Sequence, residues 1–458
     1  MEWGSERCPV LELVSLVTTG ALLVGMYLSV RPSFGRVGTY LPDTYIFGLA
    51  LFAIGAAWVA VTDGTPEALH VAILGAVALA SGAIGGITFA LLSRGAHGSS
   101  GIGERLRNPR VGPFDRTLVF LGLILAASVS LATIYITLTI VARQSTSAFI
   151  HEGGLLVIRK AFTSGDIGYF APGYVKQFRD ILAPVVLIAI TWGGFRRALS
   201  LRLAILGTAG IAILLSGQRL PLVVFVASIL VADYLRIRSL TPSRMRPFLL
   251  RLAFGGLILI VLLSEMNVLL GRVEEGTRAW IVPVATVGEI VERAVLTVPR
   301  ENVETLGIWG QLGPTQGASW VVDLSAILPG AAGETLSNVL HMATGGSSQG
   351  NVVLALASDL WVAWGWLGVV ALPCLFGLFL GVLDVLLFRV GSVSCLAART
   401  YLWIILPIIY SPYGFVLYGG AFVLAILAGN SIAIRVSRMH PSSAQRVHVS
   451  RTQLYRVR

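Results

Sequence analysis

Long apolar segments, separated by short polar ones, follow one another along most of the chain. Each segment has about 20 residues, which is the length that a helix needs to cross about 30 Å of hydrocarbon. A transmembrane barrel would instead show strands of about 10 residues with strict alternation of apolar and polar positions. The pattern therefore predicts an all-α protein, a polytopic bundle of transmembrane helices formed as a single integral membrane domain over residues 1–458.

About eleven membrane spans are predicted from this pattern. The run 356–388 is long enough for one tilted span and an interfacial turn. The predicted spans are 10–30, 43–62, 68–92, 117–142, 180–195, 202–217, 221–236, 250–270, 356–388, 400–412 and 415–434.

The composition agrees with a membrane protein, since 55% of the residues are hydrophobic and only 12% are charged. Soluble domains have about 25% charged residues, so this chain has too little polar surface to cover a soluble globule. The net charge of +11 does not indicate nucleic-acid binding, because the basic residues lie mostly in short loops between apolar runs. The expected surroundings are membrane lipid, and no nucleic-acid partner is expected.

The basic residues also predict the orientation. With alternating sides and the C-terminus inside, the inner segments hold 23 of the 34 basic residues and the outer segments hold 11. Short loops rich in Lys and Arg stay in the cytoplasm, so the N-terminus is expected outside. Two long outer loops follow, 143–179 and 271–355, and residues 435–458 form a basic inner tail. Within 271–355 the spacing of apolar positions predicts an amphipathic helix over 281–298.

Arg219 is the first candidate for chemistry. The stretch LLSGQRLPL is a tight outer turn that places Arg219 at the membrane surface, with Pro221 in the first turn of the next helix. A helix N-terminus beside an arginine is favourable for an anion. Arg179, followed by Asp180 and Pro184, repeats the arrangement. The alternative interpretation is an arginine whose side chain reaches the lipid headgroups.

Two further arginines, Arg272 and Arg278, follow the span that ends in LLSEMNVLLG. Glu265 lies in the last turns of that span, and acidic residues within a membrane are usually paired or functional. Glu265 could form a salt bridge that orients one of these arginines, or the pair could be purely structural.

Motifs for nucleotide and metal chemistry are absent from the sequence. There is no G-x-x-x-x-G-K-[ST], no D-x-D and no H-E-x-x-H, and the six histidines show no ligand spacing. No metal site and no cofactor are therefore expected.

Two short motifs carry a resemblance to a known family. The SGQR turn resembles the G-x-R turn of bacterial O-antigen and oligosaccharide repeat-unit polymerases of the Wzy type. Asp359, Trp361, Gly365 and Gly368 resemble the acidic residue, aromatic residue and G-x-x-G that open a late helix in that family. The predicted topology is also similar. The family often has an Ile-Pro-Arg motif at the end of its long loop, whereas here Pro329 is followed by glycine.

The resemblance implies a metal-independent glycosyltransferase in the bacterial inner (plasma) membrane, with its long loops on the outer side. The growing glycan would pass from undecaprenyl pyrophosphate to a lipid-linked acceptor unit, and a chain-length regulator and a flippase are implied as further partners. The leaving pyrophosphate needs fixed cations, for which Arg219, Arg272, Arg278 and Arg179 are the candidates. The candidates for the general base are Asp359, Glu265, His341 and His151.

Two other functions stay open. An O-antigen ligase, which transfers a finished glycan to a lipid A core, shares the long outer loop and the basic residues. A polysaccharide flippase or secondary transporter belongs to another class, and such proteins usually show inverted repeats and broken helices. No internal repeat is visible in this sequence.

Overall fold

A computed structural model describes residues 9–30, 40–93, 111–142, 176–193, 198–240, 245–269, 281–325, 335–344, 354–408 and 412–439. Nearly all of these residues are helical, and no β-strand occurs among them. The all-α class predicted from the apolar runs is confirmed for this part of the chain.

The helices of the first half are α1 (Pro9–Val30), α2 (Leu41–Asp63), α3 (Pro66–Ser93), α4 (Pro113–Ala142), α5 (Ala183–Gly193), α6 (Ala198–Ile205), α7 (Ile211–Leu215), α8 (Arg219–Leu240) and α9 (Met245–Leu269). Those of the second half are α10 (Ile281–Glu292), α11 (Val298–Leu312), α12 (Ala318–Ser325), α13 (Leu336–Ala343), α14 (Leu356–Val390), α15 (Val393–Ile405), α16 (Pro412–Phe415) and α17 (Ala421–Met439). Short π-helical segments adjoin several of them, at Phe178–Leu182, Leu206–Gly210, Arg293–Thr297 and Val416–Gly420.

Five of the described helices are long and apolar enough to cross a membrane, and the chain is therefore a helical membrane protein. They are Leu41–Asp63, Pro66–Leu92, Phe114–Thr139, Leu356–Val390 and Tyr418–Val436. Other predicted spans correspond to shorter apolar helices, at Val17–Ser29, Leu199–Leu215, Leu252–Val268 and Val393–Ile405.

Helix α3 lies at the centre of one half of the bundle, in contact with α1, α2 and α14. Its backbone meets that of α14 directly, because a Cβ on Gly85 would lie 2.1 Å from the carbonyl oxygen of Cys374. Small residues permit such close approach in membrane helices. Ser81 inserts its hydroxyl into α14, where it accepts from the Cys374 N–H at 3.0 Å and donates to the Val370 carbonyl.

Helix α5 forms the centre of the other half. Every side chain from Ala183 to Thr191 is buried, between α4, α8 and α15. A helix that is apolar on all sides is buried on all sides. The burial of α5 holds the preceding segment Phe178–Leu182 in place, and this segment carries one of the candidate arginines.

Helix α15 differs from the prediction, which started its span at residue 400. The helix begins at Val393 and includes Arg399, whose Nε donates to Asp384 Oδ1 of α14 at 2.5 Å. Both side chains are buried. The sequence-based boundary stopped at the arginine because a lone charge is costly within a membrane. A carboxylate on the neighbouring helix offsets that cost.

The segment 271–355, predicted as the second long outer loop, is largely helical where it is described. It contains α10 to α13, and it packs against the bundle. A Cβ on Gly55 of α2 would lie 1.8 Å from the carbonyl oxygen of Val295, so the two backbones are in contact. This packing fixes α10 and α11 relative to the membrane helices.

Candidate functional site

Arg219 lies at the first position of α8, directly after a tight turn. The turn is made by Gly217, whose φ of 66° lies in the left-handed region that favours glycine. Arg219 Nη1 donates to Glu289 Oε1 of α10 at 2.7 Å and to Asn267 Oδ1 of α9 at 2.9 Å. Three helices therefore converge on one guanidinium.

The second terminal nitrogen of Arg219 is in a different situation. Nη2 is buried and has no hydrogen-bond partner among the described residues. The side chain as a whole is 16% exposed. An arginine has five N–H donors in a rigid planar fork, and an unused pair of donors in a buried position is energetically unfavourable unless an acceptor reaches it. This nitrogen is thus suited to an anionic ligand.

Arg179 lies beside this group but has its donors engaged. Its Nε and Nη2 donate to the two carboxylate oxygens of Asp180 at 2.6 and 3.1 Å. Nη2 also donates to Gln218 Oε1 at 3.3 Å, and Nη1 to Thr133 Oγ1 at 3.4 Å. The residue is buried. Arg179 is therefore linked through Gln218 to the turn that directly precedes Arg219.

Lys176 adds to the positive charge near Arg179. Burial lowers the pKa of its ammonium group from the usual range, and the charge of Arg179 lowers it further. The carboxylate of Asp180 acts in the opposite direction. Lys176, Arg179 and Asp180 therefore interact electrostatically.

A second group of residues surrounds Asp359, near the start of α14. Asp359 is 3% exposed, and its Oδ2 accepts from Trp320 Nε1 of α12 at 3.0 Å. The carboxylate of Asp323, one turn after Trp320, is close enough to interact with it electrostatically. Asp323 Oδ1 accepts from the backbone N–H of Leu336 at 2.8 Å. Burial raises the pKa of Asp323, and the Leu336 N–H partly opposes this shift.

A break in α14 shapes this second group. Gly365 has φ 63° and ψ −153°, a conformation that is almost restricted to glycine. A Cβ on Gly368 would lie 2.5 Å from the Leu360 carbonyl oxygen, although residues eight apart in a straight helix are about 12 Å apart. The chain therefore folds back at Gly365, and 356–364 is a separate short helix. The sequence predicts one span plus an interfacial turn in 356–388; the break at Gly365 is such a turn, and its position at a membrane interface stays a prediction.

Loop residues replace the hydrogen bonds that the break removes. The backbone N–H of Thr315 donates to the Val362 carbonyl at 2.8 Å, and that of Gly317 donates to the Ala363 carbonyl at 2.9 Å. Both carbonyls belong to buried residues, and a buried backbone carbonyl needs a hydrogen-bond partner. The loop between α11 and α12 thus stabilises the break and carries Trp320 toward Asp359.

Trp361, the aromatic residue of the motif noted in the sequence, packs on the side of the short helix 356–364 that is opposite Asp359. Its ring lies 5.6 Å from that of Trp309 and 5.7 Å from that of His70, measured between centroids. Trp309 is fully buried and donates through Nε1 to the Asn302 carbonyl at 3.0 Å. These contacts attach 356–364 to α3 and α11.

The other predicted residues lie apart from these two groups or outside the described part of the chain. His341 is in the last turn of α13. Glu265 is exposed on α9 and has no ion-pair partner among the described residues. Arg272, Arg278 and His151 lie outside the described residues. No hydrogen bond or ring contact described here links the Arg219 group to the Asp359 group.

Four residues of these groups were missed as site residues in the sequence: Glu289, Asn267, Asp323 and Trp320. Glu289 was assigned only to the polar face of an amphipathic helix. Its signal is its position on α10, which packs against α9. Asp323 and Trp320 have helical spacing and flank a buried carboxylate, which a single sequence does not reveal.

In comparisons with known proteins, no family model, no curated protein and no solved structure matches the chain. Within the described residues no group of three or more His, Cys, Asp or Glu side chains is arranged to hold a metal ion. The function is therefore argued from the two groups of residues themselves.

Proposed function

We propose that the chain is a polymerase of lipid-linked oligosaccharide repeat units at the outer face of a bacterial inner membrane. In this proposal the protein has about eleven spans, an outer N-terminus and a cytoplasmic C-terminus. The observation that carries it is the guanidinium of Arg219 at the start of a helix, one of whose terminal nitrogens is buried and has no hydrogen-bond partner among the described residues. That nitrogen is suited to a phosphoryl oxygen of the lipid-linked donor.

The reaction requires one leaving group and one base. A hydroxyl of the acceptor unit attacks the anomeric carbon of the donor sugar, and the bond from that carbon to the pyrophosphate oxygen breaks. Undecaprenyl pyrophosphate leaves with the electron pair, and a base takes the hydroxyl proton. Arg219 stabilises the negative charge that develops on the leaving group. Asp359 is the proposed base, since it lies at the helix break beside Trp320 and Asp323.

The resemblance to Wzy-type polymerases supports the same proposal, because its motif residues have distinct structural roles here. Gly217 makes the turn before Arg219, Gly365 makes the break, and Gly368 allows the chain to fold back. Each role requires glycine for a physical reason. The motif is thereby tied to backbone geometry at both candidate groups.

The glycolipid profile of a deletion strain tests this function. Loss of a polymerase leaves single repeat units on lipid, whereas loss of a ligase leaves polymer on lipid. The proposal expects single units, and complementation with the intact chain should restore the polymer. Accumulation of lipid-linked polymer would assign the chain to the ligases instead.

One observation favours a second candidate, a flippase or secondary transporter. Helices broken within the membrane are typical of substrate sites in such proteins, and α14 is broken at Gly365. A transporter would leave its precursor facing the cytoplasm in the deletion strain. A lectin or glycosidase applied to intact spheroplasts distinguishes this result from outward-facing single units.

Metal independence is a further expectation of the proposal. Because the donor carries its own lipid pyrophosphate and the cations are arginines, purified protein should polymerise lipid-linked units in the presence of chelator. The matched control is the same reaction with added Mg²⁺, which should proceed at the same rate. Loss of activity in chelator that Mg²⁺ or Mn²⁺ restores would contradict this expectation.

A further inference from the structure

We propose that Glu289, held by Asn267, is the positioning residue for Arg219, and that Nη2 of Arg219 is the nitrogen that contacts the phosphoryl oxygen of the donor. This inference rests on the proposed function and adds a residue to its site. It concerns an ion pair between side chains that are 70 positions apart.

The three side chains form a closed ring of hydrogen bonds. Arg219 Nη1 donates to Glu289 Oε1 at 2.7 Å and to Asn267 Oδ1 at 2.9 Å. Asn267 Nδ2 completes the ring by donating to Glu289 Oε2 at 3.0 Å. Both carboxylate oxygens and both ends of the amide are therefore in use, which leaves the carboxylate little freedom to rotate.

The hydroxyl groups of Thr286 and Ser264 extend the hydrogen bonding beyond this ring. Asn267 Nδ2 also donates to Thr286 Oγ1 at 3.2 Å, and Ser264 Oγ donates to the same oxygen at 3.3 Å. Asn267, Thr286 and Ser264 are all buried. The amide of Asn267 is thus fixed by α9 and α10 before it meets the arginine.

Fixing Nη1 also fixes Nη2, because the guanidinium is planar and rigid. The two hydrogens of Nη1 are directed to Asn267 and Glu289, while Nη2 has no partner among the described residues. Arg179 provides the contrast, since its carboxylate partner Asp180 binds both Nε and Nη2. At Arg219 the carboxylate orients the fork and leaves one nitrogen for a ligand.

Glu289 could instead act as a competitor that occupies the place of the substrate anion. The two roles differ in what they require of the side chain. If Glu289 positions Arg219, it needs an acceptor oxygen at the right distance and does not need a negative charge. A competitor needs the charge, and its removal would strengthen substrate binding.

Two substitutions at Glu289 separate the effect of side-chain length from the effect of the negative charge. Glu289→Gln removes the charge and keeps an acceptor oxygen at the same distance from Arg219 Nη1, while its amide nitrogen replaces the oxygen that accepts from Asn267. Glu289→Asp keeps the charge but shortens the side chain by one methylene. For purified protein with a lipid-pyrophosphate oligosaccharide as substrate, the Asp variant should lose about 10²-fold in kcat with little change in KM, since a misplacement of about 1 Å costs this much. The Gln variant should keep kcat within about tenfold of the wild type.

Glu292 supplies the matched control on the same helix. It forms an exposed pair with Arg300 at 3.0 Å, so Glu292→Asp and Glu292→Gln should leave both constants unchanged. Thermal melting of each purified variant reports the amount of folded protein. If the Asp variant is not recovered folded, the Gln variant decides alone, and a kcat below about one-tenth of the wild type overturns the positioning role.

The inference is overturned, with the proposed function intact, if the Asp variant matches the wild type or if the Gln variant falls below about one-tenth of the wild-type kcat. A Gln variant with tighter substrate binding and faster turnover would also overturn it. If Arg219→Ala polymerises normally, or the wild type makes no polymer, the proposed function itself fails. The Arg219→Ala reaction is therefore run beside the Glu289 variants.

Discussion

Arg219 and Arg179 show how surroundings determine what an arginine can do. Both follow the same sequence arrangement, an arginine at the start of a helix with a proline in its first turns. Each nitrogen of the Arg179 guanidinium has a partner in Asp180, Gln218 or Thr133, whereas Nη2 of Arg219 has none among the described residues. The arginine that can accept a new anion without losing bonds is Arg219.

The first prediction is that Arg219→Ala abolishes polymer while the protein stays inserted and abundant. Loss of a preorganised donor to the transition state costs about 10²–10³ in rate. Arg219→Lys should recover only part of this loss, because an ammonium lacks the planar fork. The polymer ladder of a complemented deletion strain measures the effect, with immunoblotting for the amount of protein.

Arg300→Ala is the control for that experiment, since Arg300 is an exposed arginine paired only with Glu292 among the described residues. Its polymer ladder should be normal. If Ala and Lys at position 219 also gave a normal ladder at normal expression, Arg219 would be no more than a lipid-facing arginine. Attention would then move to Arg272 and Arg278.

The second prediction concerns Asp323, whose pKa is raised by burial. A raised pKa means that the protonated form favours the folded state. The resulting contribution to the free energy of unfolding is complete below the ordinary aspartate pKa of about 3.9 and is lost as the pH rises through the raised pKa. At a pH above the raised pKa of Asp323, the Asp323→Asn variant should therefore melt at a higher temperature than the wild type.

Melting curves of detergent-solubilised protein over the range of about pH 4 to pH 8 test this difference. The asparagine still accepts from the Leu336 N–H, so the hydrogen bond is preserved. Asp63→Asn serves as the control, because Asp63 is exposed at the end of α2. Equal pH dependence in the wild type and in Asp323→Asn would contradict the prediction.

At the residue scale, the sequence predicts the surroundings of a residue that depend on its neighbours in the chain. It does not predict contacts between residues that are far apart in the chain. The SGQR turn and Pro221 suffice to place Arg219 at the start of a helix. Its pairing with Glu289 depends on how α8, α9 and α10 pack, and the sequence carries no local trace of that packing. The same holds for Asp323 and Asp359, which meet only because α12 docks on a broken helix.

At the scale of elements, the break in α14 has the clearest consequence. The run 356–388 could be interpreted from its length as a span with an interfacial turn, since a helix needs only about 20 residues to cross. Where the turn falls depends on a backbone conformation and on hydrogen bonds from another loop. Length alone cannot supply either.

The third prediction is that Gly365→Ala destabilises the fold by about 1–3 kcal/mol, the usual cost of forcing a side chain into such a backbone conformation. The thermal midpoint of the purified protein should fall, and polymer formation should fall with it because Asp359 is displaced. Gly256→Ala is the control, since Gly256 is helical, lies on α9 and has open space around its Cα. Equal midpoints for the two variants would show that the break is not strained.

At the scale of the whole molecule, the sequence predicted the long apolar helices but assigned α12 and α13 to a loop. Apolar runs locate helices because membrane burial requires continuous apolar surface. Arg399 shows the limit of this method, since the sequence alone does not distinguish an arginine paired with a carboxylate inside the bundle from an arginine in a loop. The orientation rests on the distribution of the remaining basic residues.

The fourth prediction is that residue 300 faces the outside and residue 435 the cytoplasm. Arg300 is exposed, and Arg435 is exposed in the last turn of the candidate span Tyr418–Val436, where a cysteine is expected to lie at the membrane surface. In a variant with Cys8, Cys374 and Cys395 replaced by alanine, Arg300→Cys should react with an impermeant thiol reagent added to intact spheroplasts. Arg435→Cys should react only after the membrane is permeabilised. The reverse pattern would invert the topology.

The loop that stabilises the break in α14 has a consequence for how the protein enters the membrane. The Val362 and Ala363 carbonyls accept from Thr315 and Gly317, which the ribosome makes first. The donors are therefore already synthesised when their acceptors leave the ribosome. Until the loop docks, those two carbonyls lack these donors, and a buried backbone carbonyl without a hydrogen-bond partner is energetically unfavourable. The break in α14 can therefore be completed only after both segments have been made and have met.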